Sequence, residues 1–456
     1  MDSQLSYSQE LTGFLAETDP FMEQLDTLPL ETAAELYDMF EEAARSATEN
    51  ILQIDTELRV EICIRQDKLI ERIADVFPPF EHTGDPIGVY TPAIQDFRRW
   101  SNTELMKDKG LVGYMLAKEL GGRCVMYYGT APADYPYLSA LHGMEVSYPD
   151  TGFGSDYAYY QYLRDHYQEM DVLVLHGMYI QTVEYLDMYR KLRPDGKVYC
   201  GLDMNSWWMN NTTWDNPLVK RFSKQCDVVA TSCSSLRDAL NRNPSVHFPC
   251  HWFPNGYYNP TGVKAIADPA LKENTIITVG RIGAAQKNNA ELMVAFARAS
   301  DALSQWKLKL IGGIEKEFHS QIDEYFTRRP DLKDRVIFTG PITDKDVLYN
   351  EYAKAKVFAL SSQSEGMPNV FAEALFHGCM FVTSDIDAAN DITNAETLGM
   401  TYSRGDIDAL SNALIKVCKK ANRTGVERHI PKALEHAAKY YDWNRNIKKL
   451  AYMLYK

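Results

Sequence analysis

The sequence lacks the features that mark membrane-spanning and secreted proteins. No apolar run among its 456 residues reaches the roughly 20 residues that a membrane-spanning helix needs. The first residues, MDSQLSYSQELTGF, have neither the basic start nor the apolar centre of a signal peptide. Low-complexity tracts are also absent. We therefore expect a cytoplasmic globular protein, long enough for two or three domains with buried cores.

Paired cysteines are missing as well. The eight cysteines are scattered along the chain without a CxxC pair, which argues against a structural zinc site. Most of them lie beside apolar runs, so we expect buried, reduced thiols.

Basic residues are scarce at the N-terminus. Residues 1–60 carry fourteen Asp and Glu against two Arg and no Lys, whereas the remainder is nearly neutral, with 48 acidic and 46 basic residues. A nucleic-acid partner is therefore disfavoured. The acidic segment predicts a solvated helical face, with a protein partner or self-association through these helices as the alternative.

The spacing of apolar residues divides the chain into a helical extension and two α/β domains. Residues 31–77 contain no Pro or Gly and repeat apolar residues at helical spacing, which predicts two or three amphipathic helices. We expect a helical extension over 1–84, a first α/β domain over 85–258, a second α/β domain over 259–440, and a last helix over 441–456.

Short apolar runs alternate with helical stretches in both of these domains. This order predicts parallel sheets covered by helices, whose ligands bind beyond the carboxyl ends of the strands. The predicted strands are IGVY (87–90), RCVMYYG (123–129), DVLVLHG (171–177), KVYCGLD (197–203), DVVATSC (227–233), TIITVG (275–280), KLKLIGG (307–313), RVIFTG (335–340), KVFALSS (356–362) and MFVTSD (380–385).

Two stretches after predicted strands carry residues suited to a phosphorylated sugar ligand. In SSQSEGMPNVFAEALFHG (361–378), Glu365 lies in a turn and Glu373 lies one turn inside the following helix. Helix N–H groups attract a diphosphate, and carboxylates accept hydrogen bonds from hydroxyl groups. In TIITVGRIGAAQKNNAELMVAF (275–296), Arg281 and Lys287 stand before a helix, where a cation opposes the helix dipole unless an anion is bound.

Together these stretches resemble retaining glycosyltransferases of the GT-B fold, specifically family 4. That family combines a VGR turn, a lysine before a helix and an E-x7-E element, here Gly280-Arg281, Lys287, and Glu365 with Glu373. FPNGYY (253–258) is similar to the hinge between its domains, and FTGPITDKDVLYNEYAKAKVFAL (338–360), which contains Gly340, is similar to its base-binding turn. DWNRNIKKLAYML (442–454) resembles the last helix, which crosses back to the N-terminal domain. The resemblance implies two Rossmann-like domains facing a cleft, an N-terminal acceptor domain over 85–258 and a C-terminal nucleotide-sugar-binding domain over 259–440.

The resemblance also implies the roles of the site residues. Arg281 and Lys287 bind the donor diphosphate, Glu373 binds the ribose, and Glu365 contacts the donor sugar, assisted by the backbone around the residues between the two glutamates (Gly366, Met367, Pro368 and Asn369). Charge stabilisation by these groups replaces a metal ion, so neither a metal nor another cofactor is expected.

The N-terminal domain matches the family pattern less closely. His176 ends a predicted strand at the position of a family histidine that faces the donor sugar; a hydrogen-bonded structural role is the alternative. In the loop over 91–122 the paired glycines of the family are missing before the helix; only Gly110 precedes it, with Ser101 and Asn102 upstream. The aromatic cluster NSWWMNNTTW (205–214) fits either stacking on a sugar or peptide acceptor or buried packing, and we favour packing.

The sequence thus predicts a retaining glycosyltransferase. We expect its donor to be a nucleotide sugar, specifically a UDP-hexose or UDP-N-acetylhexosamine, and its acceptor to be a hydroxyl group of a glycan or protein. A sugar-nucleotide epimerase of the same fold and a non-catalytic partner subunit are the alternatives. A nicotinamide dehydrogenase is excluded because no GxGxxG opens a helix after a strand.

Overall fold

The computed structural model divides the chain into two compact units. The N-terminal unit comprises Met1–Pro254 together with Trp443–Lys456, and the C-terminal unit comprises Asn255–Asp442. The structure describes residues 2–78, 80, 84–92, 105–127, 136–147, 156–259, 262 and 264–456. Ser101 and Asn102, to which the sequence analysis drew attention, lie outside these residues.

The chain begins with three helices: α1 (Asp2–Glu23), α2 (Leu30–Glu49) and α3 (Thr56–Val76). Helices α2 and α3 confirm the amphipathic helices predicted between residues 31 and 77, while α1 lies in the helical extension expected over 1–84 but was not predicted as an individual helix. Their apolar faces form a core of their own, which includes Tyr37, Phe40, Ile62 and Ile70.

A seven-stranded parallel sheet forms the centre of the N-terminal unit. Its strands are β1 (Gly88–Pro92), β2 (Arg123–Tyr127), β3 (Met144–Ser147), β4 (Val172–His176), β5 (Lys197–Leu202), β6 (Val228–Thr231) and β7 (His251–Trp252). Their order is β3-β2-β1-β4-β5-β6-β7, with every neighbouring pair parallel. The order reverses between β1 and β4, both of which are buried along their whole length.

Six helices connect these strands and cover the sheet. They are α4 (Asp108–Glu119), α5 (Asp156–His166), α6 (Ile180–Leu192), α7 (Ser206–Asn211), α8 (Pro217–Ser223) and α9 (Ser234–Arg242). Tyrosines are prominent in the core on one side of the sheet, where Tyr127 stacks on Tyr162 with ring centroids 4.4 Å apart.

The C-terminal unit contains a six-stranded parallel sheet. Its strands are β8 (Glu273–Val279), β9 (Lys307–Ile311), β10 (Val336–Gly340), β11 (Ala355–Leu360), β12 (Met380–Ser384) and β13 (Gly399–Tyr402). The order is β10-β9-β8-β11-β12-β13, again with every neighbouring pair parallel. Here the order reverses between β8 and β11.

Seven helices belong to this unit, and one more completes the N-terminal unit. The seven are α10 (Asn289–Ala299), α11 (His319–Arg328), α12 (Lys345–Lys354), α13 (Asn369–Phe376), α14 (Ala389–Thr393), α15 (Ile407–Lys420) and α16 (Arg423–Tyr440). The last helix, α17 (Trp443–Tyr455), packs its Tyr452 into the core of the N-terminal helices.

All ten predicted strands are present, and the order of the sheets confirms the predicted α/β class. The two units are Rossmann-like, since each has parallel strands joined by helices and a strand order that reverses near the middle of the sheet. The unpredicted strands are β3, β7 and β13.

Candidate functional site

The reversal of strand order in the C-terminal unit brings the two predicted motifs to one place. Strands β8 and β11 are neighbours in the sheet, so the loops that follow their carboxyl ends begin side by side. In doubly wound sheets ligands bind at such a point. The loop after β8 carries Gly280 to Lys287, and the loop after β11 carries Glu365.

Glycines allow the loop after β8 to turn sharply. Gly280 has φ 154° and Gly283 has φ 88°, and a Cβ at Gly283 would overlap the ring of Phe318. Gly312, at the end of the neighbouring strand β9, has φ 146°, and a Cβ there would overlap the carbonyl oxygen of Gly280. Gly283 and Gly312 therefore require glycine for both conformation and space, and Gly280 for its conformation alone.

Lys287 and Glu365 form an ion pair in this region. Both side chains are mostly buried, with 19% and 12% exposed, and Ser362 Oγ donates a 2.9 Å hydrogen bond to the same Glu365 oxygen. The Lys287 stem also passes Gly280, where a Cβ would stand 3.7 Å from Cε. The structure thus brings together three of the predicted residues: Gly280, Lys287 and Glu365.

Hydrogen bonds fasten the two loops to each other. Gln363 N donates to Gln286 O at 2.7 Å, and Gln286 Nε2 donates to Ser364 O at 2.6 Å. Ser361 Oγ donates to Lys287 O at 3.1 Å. Because these bonds fix the backbone around both charged side chains, the pair is held in a defined geometry.

Arg281 does not join this cluster directly. Its side chain is 67% exposed, and its guanidinium lies 3.9 Å from Glu315. An exposed contact at this distance is weak, so the arginine can reorient towards an anion.

Helix α13 supplies the rest of the predicted site. Pro368 is its N-cap residue and Asn369 its first helical residue. Phe371 N donates to Pro368 O at 3.0 Å, whereas the N–H groups of the two residues before it precede the first carbonyl that the helix could offer them. Met367 is buried, and its carbonyl accepts a 3.0 Å hydrogen bond from Asn255 Nδ2. Gly366 precedes it in the same loop.

Glu373 lies one turn inside α13 and contacts two side chains of α12. Lys345 Nζ and Tyr352 OH each approach a different Glu373 oxygen at 2.9 Å. Neither partner was predicted, although both lie in the stretch 338–360 that resembles the base-binding turn of the family. Behind them His377 Nδ1 hydrogen-bonds the Glu373 carbonyl at 2.7 Å, and burial lowers the pKa of His377 to about 4.

Gly340 ends β10 with φ 71°. Its carbonyl accepts a 3.0 Å hydrogen bond from Gly312 N, and no described heavy atom lies within 4 Å of where its Cβ would stand. The turn after β10 is therefore open to a ligand.

In the N-terminal unit, His176 is the last residue of β4 and is buried. Burial lowers the pKa of its imidazole to about 4, with the nearby Lys109 acting in the same direction and Asp203 opposing it. Within the described residues its Nε2 has no hydrogen-bond partner. The ring is therefore neutral near pH 7 and retains an unused hydrogen-bonding atom.

Lys109 and Asp203 accompany His176 at this edge of the sheet, 3.4 Å from each other. Asp203 follows β5, and Lys109 lies in the first turn of α4. Sequence reasoning missed Lys109. It also placed Gly110 before the helix, whereas α4 begins at Asp108 and Gly110 lies in its first turn against Leu105.

The aromatic cluster over 205–214 divides into buried and exposed residues. Trp214 is buried, as the packing interpretation predicted, with its ring centroid 6.1 Å from that of Phe248. Trp207 and Trp208 are 58% and 57% exposed, so packing was the wrong interpretation for these two.

Three further observations concern cysteines, metals and membranes. All eight cysteines are unbonded, seven of them buried. In the described part of the chain, no three His, Cys, Asp or Glu side chains are grouped as metal ligands would be. None of the helices in that part is long and apolar enough to cross a lipid bilayer.

Comparisons with known sequences match the region that carries the site. Residues 273–420 match the family described as glycosyl transferases group 1. The chain is 36% identical over 126 residues to the N-acetylgalactosamine-N,N'-diacetylbacillosaminyl-diphospho-undecaprenol 4-alpha-N-acetylgalactosaminyltransferase of Campylobacter jejuni, covering 27% of this chain and 31% of the relative. It is 27% identical over 197 residues to the lipopolysaccharide 1,6-galactosyltransferase of Escherichia coli, covering 41% of this chain and 53% of the relative. The matches thus span about a third and about half of these relatives.

Similar solved structures extend the likeness over both units. The Anabaena protein HepE in complex with UDP has a TM-score of 0.60 at 15% identity, covering 80% of this chain and 99% of that one. A glycosyltransferase from Rickettsia africae has a TM-score of 0.61 at 10% identity, covering 80% and 97%. The fold is that of the GT-B glycosyltransferases. Within it, the C-terminal unit carries the segment that matches the glycosyl transferases group 1 family.

Proposed function

We propose that this protein is a retaining glycosyltransferase that binds a nucleotide-sugar donor in its C-terminal unit. The observation that carries the proposal is the Lys287–Glu365 pair at the carboxyl ends of β8 and β11, next to the start of α13. A cation, a carboxylate and the N-terminus of a helix in one place suit a ligand that has both a diphosphate and hydroxyl groups.

In this proposal the diphosphate lies near Lys287 and the first turn of α13. Lys287 lies in a poorly solvated position beside Glu365, where electrostatic interactions are stronger than in water. Arg281, being exposed, turns towards the phosphates as the donor binds. Together these groups stabilise the nucleoside diphosphate as it leaves, so the proposed mechanism needs no metal ion for this role.

The two glutamates recognise hydroxyl groups. Lys345 and Tyr352 orient Glu373, which accepts hydrogen bonds from the ribose. Ser362 and Lys287 orient Glu365, which contacts the transferred sugar. Each carboxylate is already oriented before the ligand binds, so less side-chain conformational entropy is lost on binding.

We assign to His176 a hydrogen bond with the transferred sugar. A neutral imidazole with an unused Nε2 can donate to or accept from a hydroxyl group. His176→Ala should therefore reduce glycosyl transfer more than donor affinity, and equal losses in both would assign the histidine to positioning alone.

The relatives bear on the choice of donor and acceptor. Two of them are named as a galactosyltransferase and an N-acetylgalactosaminyltransferase, and one similar structure contains UDP. We therefore extend the proposal to a UDP-hexose or UDP-N-acetylhexosamine donor. The acceptor is a hydroxyl group of a glycan or protein.

A thermal-shift screen against UDP-, GDP- and ADP-sugars tests the donor assignment. A UDP-sugar should raise the melting temperature, since a ligand that binds only the folded state stabilises it. Incubating the protein with that donor alone and analysing the nucleotide sugar by NMR distinguishes transfer from epimerisation, because an epimerase converts the donor without an acceptor. Absence of a shift with every nucleotide sugar would contradict the proposal.

A further inference from the structure

Exposed aromatic side chains are concentrated at one edge of the N-terminal unit. Within the described residues, four large aromatic side chains are exposed: Phe21, Tyr179, Trp207 and Trp208. The last three follow the carboxyl ends of β4 and β5, which pair in parallel with His176 opposite Gly201. We call Tyr179, Trp207 and Trp208 the aromatic patch.

The patch is next to His176 along both strands. Tyr179 lies three residues after His176, and its ring covers Gly177, where a Cβ would overlap Cε2. Helix α7, which carries both tryptophans, starts four residues after Leu202 ends β5. The patch therefore lies at the edge of the sheet that carries His176.

Helix α7 holds the tryptophans outward. Asn205 Oδ1 accepts a 3.1 Å hydrogen bond from Trp208 N, and Trp214 Nε1 donates to Met209 O at 2.9 Å. Trp214 itself is buried and anchors the segment. The rings of Trp207 and Trp208 meet at 87° with centroids 4.8 Å apart. Two exposed, fixed tryptophans are unusual on a protein surface, and such a patch marks a binding site.

The surroundings of the patch favour a saccharide. Residues 204–214 carry no charge, and the exposed side chains beside the tryptophans are the amides of Asn210 and Asn211 and the hydroxyl of Thr213. The C–H face of a pyranose ring packs on an indole, while amides and hydroxyls bond its OH groups. The flanking residues Asp203 and Asp215 are both acidic, with Asp203 paired to Lys109, so the segment has no excess of positive charge to attract anionic lipid head groups.

We infer that the aromatic patch is a saccharide-binding subsite, where a sugar residue of an oligosaccharide acceptor stacks on Trp207 and Trp208. Its role as an acceptor site rests on the proposed glycosyltransferase function; saccharide binding itself does not. The two tryptophans then set acceptor specificity, and the donor site in the C-terminal unit is independent of them.

A glycan array of neutral oligosaccharides, probed with the labelled full chain, tests the inference. We expect the wild type to bind a subset of the array and the double variant Trp207→Ala/Trp208→Ala to bind it about tenfold more weakly or worse. Trp207→Phe/Trp208→Phe should restore most of the binding, because a phenyl ring still stacks. Phe21→Ala, which removes an exposed aromatic from α1, should bind as the wild type does.

Donor binding and vesicle binding separate the remaining outcomes. The double alanine variant should bind the nucleotide sugar with the wild-type affinity. A wild type that binds no nucleotide sugar would refute the proposed function, whereas the glycan array would still test the saccharide subsite. A wild type that binds no saccharide, or a double variant that binds as well as the wild type, would overturn the subsite. Tryptophan-dependent binding to phosphatidylcholine–phosphatidylglycerol vesicles or to a peptide library, without saccharide binding, would overturn it too.

Discussion

Lys287 occupies a position that the fold by itself disfavours. It lies two residues before α10, whose N-terminal dipole repels a cation. Glu365 compensates for this repulsion, and the pair remains mostly buried. A buried ion pair contributes little net stability. The proposed donor site accounts for its presence, since a diphosphate there needs the cation.

Replacing Lys287 by alanine should weaken donor binding strongly. Hydrogen bonds to charged groups contribute about 1.5–3 kcal/mol each, so we expect a loss of roughly 10- to 100-fold in nucleotide-sugar affinity by titration calorimetry. Arg298→Ala is the matched control, because Arg298 lies at the opposite end of α10 and pairs with Asp408. Equal affinity in wild type and Lys287→Ala would remove this residue from the site.

Tyr352→Phe tests whether Glu373 needs its fixed orientation. The substitution keeps the ring and removes the 2.9 Å hydrogen bond to Glu373, so donor affinity should fall several-fold while the protein loses about 1 kcal/mol of stability. Tyr325→Phe removes a similar buried hydrogen bond, to Met293 O at 3.1 Å in the same unit. It should cost the same stability and leave donor affinity unchanged. A similar loss of affinity in both variants would assign the effect to general destabilisation.

The sequence predicted the site residues that lie in the loops after neighbouring strands. Lys287 and Glu365 each follow a strand within a few residues, and neighbouring parallel strands bring such residues together. Lys345 and Tyr352 were missed because their contact with Glu373 joins α12 and α13, which are adjacent only in the folded structure. Lys109 was missed for the same reason, since its partner Asp203 is far along the chain.

At the scale of elements, the ends of β8 and β9 approach so closely that one side chain would separate them. Gly312→Ala should lower the free energy of unfolding by about 1–3 kcal/mol, since its φ is positive and a Cβ would overlap Gly280 O. Gly313→Ala is the matched control, because no described heavy atom lies within 4 Å of its Cβ position. Denaturant unfolding measures both. Equal stability of the two variants would show that the approach of β9 to Gly280 is unimportant.

A buried histidine should make the packing of α16 on the sheet sensitive to acid. His429 Nε2 hydrogen-bonds Cys379 O at 3.0 Å, and burial lowers the pKa of His429 to about 4. The unfolded chain binds the proton near its usual pKa of about 6.5. The contribution of the neutral His429 ring to the free energy of unfolding is therefore complete above about pH 6.5 and is lost as the pH falls towards 4.

The measurement is the difference in unfolding free energy between pH 7 and pH 5. His429→Gln should reduce this difference by about 2 kcal/mol relative to the wild type. His319→Gln, which changes an exposed histidine, should leave the difference as it is. An unchanged difference in His429→Gln would mean that the ring titrates normally in the folded state.

The elements that the sequence did not predict are short or atypical. Strand β7 has two residues, and β13 and β3 have four each, with polar residues such as Glu145 interrupting the apolar pattern. Helix α1 contains Pro20 and Gly13, which usually argue against a long helix. The ten longer apolar runs were predicted correctly because burial on both faces leaves a strong signal in a parallel sheet.

At the scale of the whole molecule, the N-terminal helices are attached to the first sheet by buried polar contacts. Arg59 of α3 donates to the carbonyl groups of Leu240, Asn241 and Val246 at 2.7–2.9 Å, at and just beyond the end of α9. Asp67 of the same helix accepts from Arg237 at 2.8 Å. These contacts explain why the helices and the sheet form one unit.

Arg59→Ala should destabilise the N-terminal unit by about 3 kcal/mol or more, because it removes three buried hydrogen bonds, of whose acceptors Leu240 O keeps a donor in Asn243 N. Arg45→Ala is the control, since Arg45 is exposed and makes only a 3.8 Å contact with Glu41, worth less than about 1 kcal/mol. Thermal unfolding followed by near-UV circular dichroism compares them. A melting temperature as high in Arg59→Ala as in Arg45→Ala would contradict this attachment.

Hydrogen-exchange mass spectrometry tests the central claim most directly, because it locates the donor. The full chain is compared with and without the nucleotide sugar that gives the largest thermal shift. We predict slower exchange in peptides covering residues 280–288 and 361–376, since the bound diphosphate and hydroxyl groups would engage those backbones. Unchanged exchange in both segments at saturating donor, with protection found elsewhere, would contradict a donor site at the carboxyl ends of β8 and β11.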